Sequence, residues 1–136
     1  MTGVDLATLL EGRPIEVPAE GGSMWPAIHN GDVVRVSAIG DRPLRCGDVV
    51  LSVSGQRLIL HRVTHVGQHV ITHGDTMLYP DAALRPVQVL GRATECLRDG
   101  TAHRISTRRW RNQSAARALR AALRFALAVR DRIRPR

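Results

Sequence analysis

Ser23 stands behind two glycines and ahead of Met24-Trp25-Pro26, in the stretch GGSMWPAIHNGDVVRV (21–36). Glycine admits tight and left-handed backbone conformations, and proline fixes the direction in which the chain leaves. Such a loop presents a hydroxyl without crowding, as a nucleophile requires, although Gly-Gly-Ser taken alone is more often only a turn. A serine hydroxyl attacks when a neighbouring base takes its proton, and the usual bases are histidine and lysine. Every one of the twenty Lys-plus-Arg residues is arginine. Lysine is therefore excluded by composition.

Six histidines remain. An imidazole has an ordinary pKa near ~6.5 and is mostly the free base at neutral pH. His61 is the candidate base, because it follows Leu58-Ile59-Leu60 and precedes Arg62-Val63 on an expected core strand. Without Ser23 nearby, a strand histidine satisfied by a carbonyl would be the plainer reading. A third group should orient the ring. The turn-rich stretch THGDTMLYPDAALRP (72–86) offers Asp75 and Asp81. Both are also ordinary turn residues, and the residues alone do not choose between them. His65, His69 and His73 are spaced by four on expected strands joined by a turn, which matches no zinc signature. No metal or other cofactor is expected.

The elements that must position these groups are mostly strands. Residues 4–11 suit a short helix stopped by Gly12 and Pro14. Residues 15–17, 32–38, 48–54, 57–66, 69–73 and 87–97 are short β-type runs, several alternating apolar with polar residues as half-buried antiparallel strands do. Residues 54–56 and 66–68 suit hairpin turns. The expected fold is mainly β, a small antiparallel sandwich or partly closed barrel over residues 1–106. Residues 107–136 form a separate tail. From about Asn112 it is rich in helix formers and free of Gly and Pro until Pro135. Arg117, Arg120, Arg124 and Asp131 share one helical face, with Ala116, Leu119, Leu123, Ala126, Leu127 and Ile133 opposite.

At 136 residues, 43% of them hydrophobic, the chain suits one domain with a real core, and only 3% aromatics leave that core to Val, Leu, Ile and Ala. The formal net charge is +8, and half of the arginines lie from Arg108 onward. Three uses suit that amphipathic tail: first, packing on the barrel or a second subunit; next, peripheral attachment to an anionic membrane; and then nucleic-acid contact. The last ranks lowest, since no binding motif or aromatic platform accompanies the arginines, and no nucleic acid is expected. Cys46 and Cys96 lack metal spacing and read as free thiols. The N-terminus has no basic region followed by a long apolar run, so it is not a signal peptide. No window of ~18 uncharged apolar residues marks a transmembrane helix. The expected location is the cytoplasm, with peripheral membrane association through the tail.

SMWP (23–26), GDVVRV (31–36), GDVVL (47–51), LHRV (60–63), THGD (72–75), PD (80–81) and VLGRA (89–93) come in an order that resembles the motif series of the signal peptidase superfamily, over roughly residues 15–95. Each motif is weak alone and the ordered set is specific. Bacterial members of the superfamily pair serine with lysine. The endoplasmic-reticulum, archaeal and sporulation-type branch carries histidine in an HRV motif, as LHRV does here. The resemblance implies the signal-peptidase type of β fold and a Ser23–His61–Asp81 triad, with Asp75 as a supporting residue. It also implies an oxyanion hole that includes the Ser23 backbone N–H. Some members add a hydroxyl two residues earlier, where this chain has Gly21.

The implied activity is a serine endopeptidase acting on an extended peptide, such as a leader or signal-type precursor. Two departures stand out: signal peptidases carry transmembrane segments before the serine motif, and this chain instead has a basic amphipathic tail. Two rival readings are a non-catalytic module of the same fold docking through that tail, and a self-cleaving repressor of the LexA type. The second is disfavoured, because those proteins resemble the lysine branch and carry a DNA-binding domain.

Overall fold

The computed structural model describes residues 4–108 and 113–133, and the side chains at 113–120, 131 and 133 lie outside that description. The assignments made above for Asn112, Ala116, Arg117, Leu119, Arg120, Asp131 and Ile133 therefore fall outside the described residues. Helix α1 (Leu6–Leu10) is capped by the Asp5 carboxylate, which accepts from the Thr8 N–H at 3.1 Å. Seven strands follow: β1 (Ile15–Pro18), β2 (Val33–Ser37), β3 (Val49–Ser54), β4 (Arg57–Val66), β5 (Val70–His73), β6 (Val89–Arg98) and β7 (Thr101–Arg104). Helix α2 (Gln113–Ile133) ends the described chain.

The protein is mainly β, as expected. All strand pairings are antiparallel and form one sheet in the order β1-β2-β6-β3-β4-β5, with β7 paired to β6. The sheet is not closed into a barrel. Strand β7 was not expected, since its four residues are all exposed and carry no apolar run. Its turn is nonetheless a strong one: Asp99 and Gly100 both have positive φ, 50° and 76°, the geometry that an Asp-Gly hairpin favours.

Two buried apolar clusters pack against the sheet. In one, Ile15, Val17, Val34, Val36, Leu51 and Leu60 join Met24 and Ile28 from the serine loop and Leu9 from α1. Val50, Val63, Val70, Leu84 and Val89 form the other, smaller cluster. Strand β3 lies between these clusters, and its first four residues are all buried, which is why DVVLSVS reads as a nearly continuous apolar run.

Three Gly-Asp dipeptides tie this frame together. Asp32 accepts from Arg98 Nε and Nη2 at 3.0 and 2.8 Å. Asp48 accepts from Arg92 Nε at 3.2 Å, while Arg92 Nη2 donates to the Arg42 and Pro43 carbonyls. Asp75 receives both Nε and Nη2 of Arg62 at 2.9 Å. Two of these glycines are sterically required. A Cβ on Gly47 would lie 2.1 Å from the Thr107 carbonyl oxygen, at a φ of 102°. Gly74 belongs to the site. Among the described residues, no helix is long and apolar enough to cross a membrane.

Candidate active site

Ser23 sits in the loop between β1 and β2. The Ala19 N–H donates to the Asp32 carbonyl, and the Gly31 N–H to the Ala19 carbonyl, which closes the base of that loop. Met24 and Ile28 bury their side chains in the larger core cluster and fix its middle. His61 lies midway along β4, opposite Val50 of β3, and is 9% exposed. Asp81 follows β5, where its N–H donates to the Thr72 carbonyl at 2.9 Å.

These three residues, far apart in sequence, meet. His61 Nε2 lies 3.1 Å from Ser23 Oγ, and Nδ1 lies 2.5 Å from Asp81 Oδ2. A carboxylate can only accept, so Nδ1 carries the ring proton and Nε2 presents its lone pair to the serine hydroxyl. Thr72 Oγ donates to the same Asp81 oxygen at 2.7 Å and helps to fix the carboxylate. The geometry has the order of a nucleophile, a base and an orienting acid.

Asp75 is not the orienting group. It is buried against Arg62, whose Nη1 also donates to the Gly47 and Ser106 carbonyls at 2.8 and 2.6 Å. Arg62 adjoins His61, and Asp75 adjoins Gly74 and Thr76. The pair therefore fastens the loop after β5 to the strand that carries His61. Thr76 continues the link: its N–H donates to the Ser23 carbonyl at 3.0 Å and its Oγ to the Gly22 carbonyl at 2.9 Å. A Cβ on Gly74 would sit 3.0 Å from His61 Nε2 and 3.1 Å from the Ser23 carbonyl oxygen. Only glycine lets the loop lie this close to the ring.

Arg62, Thr72, Gly74 and Thr76 were missed as site residues by the sequence reading. Three of them lie inside the LHRV and THGD motifs, so the signal was proximity in sequence to His61 and Asp75. The other histidines stand apart. His73 is buried and its Nε2–H donates to the Met77 carbonyl at 2.8 Å, while His65 and His69 are exposed. Both cysteines are free, Cys46 exposed and Cys96 buried. Burial, with the Asp32 charge nearby, pushes the Cys96 thiol up to about 11, so it is not a nucleophile at neutral pH.

A cleft of about 830 Å³ opens beside Ser23 and His61. Ala19–Gly21, Ser23, Met24 and Ile28 line it from the serine loop, and Arg57–Leu60 from β4. Val63 exchanges backbone hydrogen bonds with Gly47 and Asp48 on the β3 side. By the alternation of an antiparallel pair, Leu58, Leu60 and Arg62 point their backbone groups the other way. Arg62 meets β5 there, where it pairs with His73. Ahead of it, Leu58 and Leu60 have no strand partner on that side among the described residues. A segment of free strand edge thus runs through the cleft to the histidine.

A scan against protein-family models gave no match, and a search of the curated proteins gave none.

Proposed function

We propose that this protein is a serine endopeptidase of the signal-peptidase type, with Ser23 as nucleophile, His61 as general base and Asp81 as the group that orients it. The observation that carries the reading is the joint placement of all three: Ser23 Oγ at 3.1 Å from one ring nitrogen and Asp81 at 2.5 Å from the other. Ser23 Oγ attacks the scissile carbonyl as its proton passes to His61 Nε2. The imidazolium then protonates the departing amine, leaving an acyl group on Ser23. Water attacks that ester with His61 again taking the proton, and the free acid leaves. The Ser23 backbone N–H supports the tetrahedral oxyanion. One such donor is typically worth ~10²–10³ in rate.

The substrate is an extended peptide. The free edge at Leu58 and Leu60 suits strand addition, with main-chain hydrogen bonds holding the peptide beside the serine. The ordered motifs and the antiparallel β fold support placing the chain in the signal-peptidase superfamily. The test is covalent labelling of the purified protein by a fluorophosphonate probe, with the modified residue located by mass spectrometry. Labelling at Ser23 that Ser23→Ala removes, and that His61→Ala reduces by ~10² or more, is the expected result. No labelling of folded protein, or labelling indifferent to His61→Ala, would reject the assignment.

A further inference from the structure

Helix α2 has no role in the proposed reaction, and its described side chains, at residues 121–130 and 132, are all exposed. They include Leu123 at 56%, Phe125 at 73%, Leu127 at 50% and Val129 at 36% exposure. Single exposed apolar residues need no explanation, but a contiguous apolar face does. At ~100° per residue, Phe125, Val129, Ala122, Ala126, Leu123 and Leu127 succeed one another around roughly half of the helix. Arg124 lies on the opposite side. Arg130 falls within the apolar arc near its C-terminal end, where a long stem can carry the guanidinium outward.

We propose that α2 lies flat on an anionic lipid surface, with this apolar arc in the acyl boundary and its arginines among the head groups. The choice of occupant follows from charge. The helix sequence holds five arginines against a single acidic residue, Asp131. A second copy of the helix on the same face would bring like charges together, whereas an anionic surface neutralises them. Nucleic acid would satisfy the arginines and leave the Leu, Phe and Val side chains in water. The helix is also too polar to cross a bilayer, and its 21 residues, ~31 Å long, are ample for lying along one. This inference is independent of the peptidase reading.

The full-length protein is to be sedimented with vesicles of phosphatidylcholine alone and of phosphatidylcholine mixed with phosphatidylglycerol. Binding to the mixed vesicles and not to the neutral ones is expected. The Leu123→Glu/Phe125→Glu double variant should lose roughly tenfold or more in affinity, since two large apolar side chains lose their place in the boundary. Arg124→Glu should weaken binding and make its decline with salt shallower, since fewer cationic contacts remain to be screened. All three positions are exposed, and an unchanged thermal midpoint of the variants checks the fold. Failure to bind mixed vesicles overturns the proposal, as does equal binding by the double variant. A concentration-dependent dimer in size-exclusion chromatography that the double variant disperses, without vesicle binding, would assign the face to a second copy instead.

Discussion

Replacing Gly74 by alanine should disable the site while leaving the protein folded. The added Cβ would stand 2.6 Å from Met77 Cγ, 3.0 Å from His61 Nε2 and 3.1 Å from the Ser23 carbonyl oxygen. The first contact is cheap to relieve, because a methionine side chain can rotate away. The second is not. In the proposed reaction Nε2 receives the serine proton, and its ring is held from behind by Asp81. The loop cannot easily retreat either, since Thr76 binds the Ser23 carbonyl and Asp75 binds Arg62. A displacement of a few tenths of an ångström must therefore open the 3.1 Å contact between Ser23 and His61. Misplacement by ~1 Å costs about 10²-fold in rate, so a smaller shift combined with partial shielding of the lone pair should cost ~10–10². The cost in stability is that of modest overpacking, about 1–3 kcal/mol. The assay is the second-order rate of fluorophosphonate labelling at Ser23, alongside thermal unfolding. Gly74→Ala/Met77→Ala separates the two contacts: it should regain stability and stay slow. Labelling at the parental rate in the folded single variant, or recovery of rate in the double variant, would refute the reasoning.

Thr72→Val keeps the shape and removes the hydroxyl that donates to Asp81 Oδ2; labelling should slow several-fold, with a stability loss of about 1 kcal/mol read from urea midpoints. Arg62→Met leaves the Asp75 carboxylate buried without its partner, which should destabilise by ~3–5 kcal/mol in the same measurement and exceed the loss in an Arg62→Met/Asp75→Asn double variant. Burial alone would raise the Asp32 carboxyl, but hydrogen bonds from Arg98 and from the His29 N–H outweigh it and hold the pKa at about 2, below the ordinary 3.8. Its stabilisation is therefore complete above that ordinary value and is lost as pH falls through about 2. Acid unfolding of Asp32→Asn should accordingly show a shallower dependence in that window, and an identical acid limb would sink the claim.

Much of the frame was legible because its pattern is local. The runs at 33–37, 49–54 and 57–66 carry their own apolar pattern, and turn residues bound each of them. Strand β7 escaped notice because Thr-Ala-His-Arg buries nothing, although Asp99-Gly100 announced the hairpin. The sheet's order was not legible. Strand β6 lies between β2 and β3, a pairing set by contacts between residues far apart in the chain, such as Val33 with Leu97 and Ser52 with Val89, that no local spacing encodes. The site divides in the same way. Ser23 and His61 are named by residue type and motif order, whereas Asp75 and Asp81 stand in equivalent turn contexts and only the family resemblance favours Asp81. What separates them is Arg62. Its guanidinium faces Asp75 across the β4–β5 pairing and takes that carboxylate out of reach of the ring.

That capture points to how a site built on loops is kept in register. Of the three, His61 alone stands on a regular strand; Ser23 and Asp81 both lie in loops, where positioning is ordinarily loose. Each loop is bound to a neighbour by hydrogen bonds. The carboxylate is held by a threonine on β5, and the serine loop by the amide and hydroxyl of Thr76. Thr76 itself follows an aspartate clamped by a two-pronged guanidinium, which a lysine could not reproduce. Arg62 and His61 are consecutive on one strand, so their side chains leave opposite faces. One faces the nucleophile, and the other anchors the loop that carries Gly74 and Thr76. A shift of β4 would move both together. The distance between His61 and Ser23 is thus insulated from small movements of the sheet, and in the proposed reaction the arginine is a positioning residue that touches no reacting atom.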